Sequence, residues 1–63
     1  MSSVTALFAE VTGKLEDLHA IAIEGQASDE LTDMRWALLG FMGVGLSDLE
    51  MAVQAIREAL NDA

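Results

Sequence analysis

The sequence predicts an all-α fold: a helical hairpin with a short first helix and a long second one, two copies of which close into a homodimeric four-helix bundle. Three observations predict it. The 63 residues contain no proline and are rich in good helix formers, which leaves strands little support. From Leu31 to Leu60 the apolar residues keep one helical phase: at about 100° per residue, Leu31, Met34, Leu38, Phe41, Met42, Gly45, Leu49, Ala52, Val53, Ile56, Ala59 and Leu60 fall within an arc of roughly 120°. An earlier stripe, from Val4 to Ala22, is separated from this one by the turn-like segment Gly25-Gln26-Ala27-Ser28.

The first helix is expected over about residues 3–24, capped by Ser2 or Ser3. Its apolar face holds Val4, Leu7, Phe8, Val11, Leu15, Leu18, Ile21 and Ala22. Within it, Val4, Phe8, Val11, Leu15, Leu18 and Ala22 follow the 4-3-4-3-4 spacing of a coiled-coil seam. Gly25 suits the left-handed residue that ends a helix, and Ser28 with Asp29 and Glu30 supplies an N-cap and first-turn acids for the next one. A connection over residues 25–28 is short, which makes the two helices antiparallel neighbours.

The second helix is expected over about residues 29–61. Gly40, Gly43 and Gly45 offer a possible break, and Ser47-Asp48-Leu49-Glu50 has the form of a capping box. A break over Gly40–Gly45 would give a three-helix bundle within one chain. Against it, a restarted helix has no reason to preserve phase, yet Leu38, Gly45, Leu49, Ala52 and Ile56 stay on one line. A continuous helix of about 34 residues would overhang the first by about eleven, leaving Leu49, Ala52, Val53, Ile56 and Leu60 for a second chain to cover.

Chain length points the same way. A domain this small buries only about 60% of its unfolded surface, and disulfides, metals or oligomerisation supply what is missing. The chain has no cysteine, so oligomerisation is the expected staple, and a reducing, cytoplasmic location fits. The N-terminus also lacks the basic and apolar segments of a secretory signal. The longest apolar run, Trp36 to Gly45 with its glycines, is about half of what a bilayer requires, so no membrane span is expected. Eleven acids against Lys14, Arg35 and Arg57, a net charge of −8, argue against direct nucleic-acid binding.

Chemistry-bearing patterns are sparse. Glu16 and His19 have the Glu-x-x-His spacing of di-metal carboxylate bundles, but Glu16 lies roughly 130° from the centre of the apolar face and points to water. Ser2, Ser3, Ser28 and Ser47 read as caps or terminal residues, and the one histidine lies on the first helix. No catalytic residue, metal ligand or cofactor is therefore expected. Lys14 has Glu10 and Asp17 in range for a routine surface pair.

Two features point to binding. Leu15, Leu18, Leu38, Met42, Leu49, Val53, Ile56 and Leu60 are expected to pack the core and the dimer. Trp36, Gly40, Gly43, Val44 and Met51 lie outside the main stripe, where a tryptophan beside glycines has the composition of a protein-binding hot spot. Arg35 and Arg57 lack acids three or four residues away, so they are expected to pair across helices and set the register. The expected function is a small non-enzymatic interaction or regulatory module acting as a dimer. An acidic inhibitor of the kind mobile elements encode, occupying a basic site on a larger protein, is the alternative; a di-metal bundle is more remote.

Overall fold

A computed structural model of the chain describes residues 3–27 and 32–62. Two α-helices account for nearly all of them, α1 over Ser3–Ala27 and α2 over Thr32–Asn61. There is no strand among the described residues. The expected caps Ser28, Asp29 and Glu30, and Leu31 at the start of the stripe, lie outside them.

α2 runs unbroken through Gly40, Gly43 and Gly45, and Ser47 sits in its interior rather than at a cap. The three-helix alternative is thereby overturned. Continuity costs about 1 kcal/mol of helix propensity per glycine, and the packing of α2 along α1 offsets it. Gly40 and Gly43 face open space, with nothing within 4 Å of where a side chain would begin. Gly40→Ala and Gly43→Ala are each expected to stabilise the protein by about 0.8–1 kcal/mol, raising Tm by several degrees in thermal denaturation.

α1 continues through Gly25, where a left-handed terminator was expected. No glycine among the described residues has positive φ. Arg35 accounts for part of this: its Nε donates to the Gly25 carbonyl at 3.1 Å. That carbonyl is one of the four that a helix end leaves unpaired, and the guanidinium also complements the negative end of the α1 dipole.

The helices are antiparallel, with Arg35 beside Gly25 and Gly45 beside Leu18. They contain 25 and 30 residues, so the expected eleven-residue overhang is absent. Ala52 and Ile56, assigned above to a second chain, are buried under α1.

The seam itself follows a heptad rule on both sides. α1 contributes Val4, Leu7, Val11, Lys14, Leu18, Ile21 and Gly25, all half-buried, and α2 contributes Leu38, Met42, Gly45, Leu49, Ala52, Ile56 and Ala59. On α1 this differs from the expected seam: Leu7, Lys14 and Ile21 point inward where Phe8 and Leu15 were expected, and those two are 55% and 50% exposed. The small residues Gly45, Ala52 and Ala59 let the backbones approach closely. The Lys14 stem packs at the seam's edge, as long charged side chains commonly do.

The result is thin. The Cα trace spans 50 × 16 × 10 Å, one layer of two helices, whereas stable domains stack at least two layers. Its radius of gyration of 14.8 Å exceeds the roughly 10.6 Å of a compact chain of this length.

Candidate interaction surface

Heptad letters make the surface legible. With position a at Val4, Val11, Leu18 and Gly25 on α1, and at Met42, Leu49 and Ile56 on α2, the d rows complete the internal seam. The next row, e, holds Phe8, Leu15 and Ala22 on α1 and Leu39, Leu46, Val53 and Leu60 on α2. Every one of these except half-buried Ala22 is exposed. In an antiparallel pair of right-handed helices both e rows emerge on the same side of the seam. An open groove of about 420 Å³ marks that side near the turn, lined by Ala22 and Gln26 from α1 and by Arg35, Leu38, Leu39 and Met42 from α2.

The opposite side carries the g rows. α1 supplies Glu10, Asp17 and Glu24 there, and α2 supplies Met34, Phe41, Asp48 and Ala55. A smaller groove of about 210 Å³ on this side is lined by Glu10, Lys14, Asp48, Met51, Ala52 and Ala55. One long edge of the hairpin is thus apolar and the other largely acidic.

A third surface is the back of α2, turned away from α1. Trp36, Gly40, Gly43, Val44 and Met51 are all exposed on it, Trp36 at 68%. Trp36 and Leu39 form a shallow apolar hollow of about 140 Å³ with Thr32 and Arg35. Nothing in α1 reaches Gly40 or Gly43.

Among the residues expected to pack the core and dimer, Leu38 and Ile56 are buried in the single hairpin. Leu18, Met42 and Leu49 are half-buried, and Leu15, Val53 and Leu60 are exposed. Arg57 Nη1 donates to Gln54 Oε1 at 3.3 Å within α2, while Arg35 crosses to α1 as described. Leu39 and Leu46 lie just outside the roughly 120° arc of the main stripe. Their signal was the strict seven-residue spacing of Leu39, Leu46, Val53 and Leu60.

Glu16 and His19 are both exposed. Among the described residues no group of three or more His, Asp or Glu side chains gathers where it could hold a metal, and no polar or charged side chain is buried. α2 is long and apolar enough, by length and composition, to cross a membrane. Its uncharged stretch from Trp36 to Ser47 spans only about 18 Å, however, against about 30 Å of hydrocarbon. The chain matches no protein-family model, no curated protein and no solved structure.

Proposed function

We propose that the chain is a small non-enzymatic interaction module that works as a helical dimer in the cytoplasm and binds another protein through the back of α2. The observation that carries this reading is the exposure of Trp36 beside Gly40 and Gly43, over which nothing packs. A large amphipathic ring next to a shallow floor is the composition of an interface hot spot. The grooves among the described residues are open rather than enclosed, which favours binding over catalysis.

Mass by light scattering over a dilution series, with circular dichroism and Trp36 fluorescence on the same samples, tests both halves. The reading expects a dimer that loses helicity as it dissociates and whose only tryptophan stays open to a soluble quencher. A tryptophan shielded in the dimer would remove the back of α2 as the partner site. Trp36→Ala is expected to change stability by no more than about 0.5 kcal/mol while removing partner binding. Gly40→Ala separates the two effects, since it should weaken binding yet raise Tm.

A second reading is favoured by the row Glu10, Asp17 and Glu24, which makes one edge acidic in a chain of net charge −8. An inhibitor using that edge against a basic site would lose affinity steeply with added salt, whereas binding centred on Trp36 would not. Both readings exclude membrane insertion, and flotation with lipid vesicles would reveal it.

A further inference from the structure

We infer that the e-row face, made by Phe8 and Leu15 of α1 with Leu39, Leu46, Val53 and Leu60 of α2, docks against the same face of a second copy of this chain. The inference rests on the dimer reading above and deepens it by naming the surface that forms the dimer. Each helix carries two seams that share one row: a with d faces inward, and a with e faces out. A helix with only one neighbour needs one such seam, whereas a helix in a four-helix bundle has two neighbours and needs both.

The area agrees. The hairpin exposes 4891 Å², whereas a compact chain of 6.7 kDa exposes about 3,900 Å². The surplus of about 1,000 Å² is close to the roughly 800 Å² that each partner buries in a stable interface. From Leu39 to Leu60 the α2 row runs about 32 Å at 1.5 Å per residue, most of the length of the hairpin. A second layer on this side would also turn a 10 Å thick sheet of helices into a two-layer domain.

Charge selects this side over the other. Two copies meeting through their g rows would bring Glu10, Asp17, Glu24 and Asp48 toward their own counterparts, and such like-charge apposition disfavours an interface. The e rows contain no charged residue. The apolar residues of the back of α2 are interrupted by Gly40, Gly43 and Ser47, and Val44 and Met51 are its one pair of large side chains seven residues apart, against the four of Leu39, Leu46, Val53 and Leu60.

The chain has no cysteine, so single-thiol variants report coverage of each face directly. Leu46→Cys and Phe41→Cys occupy positions that are 53% and 65% exposed in the hairpin, on its e and g sides. The expected result is a species of twice 6.7 kDa in which a soluble thiol reagent labels Leu46→Cys about tenfold more slowly than Phe41→Cys, the difference vanishing on dilution to monomer. Leu46→Glu should abolish the dimer, and Phe41→Glu should leave it intact.

A dimer in which Phe41→Cys is the shielded site overturns this face while leaving the dimer reading standing. A species of 6.7 kDa with both thiols reactive overturns both, and hands the e rows to another protein or to a lipid surface. Equal protection of both sites would indicate a larger assembly and also overturn the proposal.

Discussion

Ile56→Asp is expected to leave the chain unfolded at 25 °C, with loss of the helical dichroism signal and of any dimer mass. Ile56 is one of three buried apolar residues among those described, with Leu38 and Ala52. Removing it forfeits about 1.5–3 kcal/mol of burial. The aspartate would then stand in a buried position of the seam, and an unpaired buried carboxylate costs several kcal/mol more. Together these approach the whole stability of a small domain, about 5 kcal/mol at the low end. Because folding and assembly are expected to be inseparable here, both signals should vanish together. Ile56→Val, which keeps the row apolar, should cost only about 0.5–1.5 kcal/mol. A folded Ile56→Asp protein would show that the seam between α1 and α2 is not the core.

Gly45→Leu should have the next largest effect, and for a steric reason that the other α2 glycines do not share. A Cβ on Gly45 would stand 2.8 Å from Leu18 Cδ2 and 3.4 Å from its Cγ. Even alanine therefore requires the Leu18 side-chain tip to shift, a cost set against its gain of about 1 kcal/mol in helix propensity. A leucine must push α1 away along the seam, and overpacking of this kind costs about 1–3 kcal/mol. Leu18→Ala opens the space that Gly45→Leu fills. The double variant is expected to recover most of the loss, with a coupling of about 0.5–3 kcal/mol in a double-mutant cycle read by chemical denaturation. Simple additivity would mean that the two residues do not meet.

The contrast between Gly45 and its neighbours shows what could be read from the sequence. The apolar phase kept from Leu38 to Ile56 correctly implied one helix across three glycines, because periodicity is a property of a single chain and shows in its residues. The hairpin followed from the short gap between two helical patterns. The stopping point of α1 did not, because the Gly25 carbonyl is bonded by an arginine from the other helix, a tertiary contact that local turn chemistry cannot anticipate. For the same reason the overhang was misjudged, and Ala52 and Ile56 found their cover within the chain.

The choice between rows was the least legible part. On α1, Leu7-Lys14-Ile21 and Phe8-Leu15-Ala22 flank the same a row. The seam drawn from the sequence takes the second set, which is wholly apolar, whereas the first contains Lys14. In the structure the lysine goes inward at the edge of the seam and the phenylalanine goes out. By itself, then, the sequence determined two long helices, their antiparallel order and a broad apolar stripe on each. The tertiary structure alone decided which two rows each helix turns toward the other and which it leaves exposed. The physical reason is that pairing depends on the match between two surfaces: the small residues Gly45, Ala52 and Ala59 admit close approach on one side, while the large side chains of Leu39, Leu46, Val53 and Leu60 hold it off on the other.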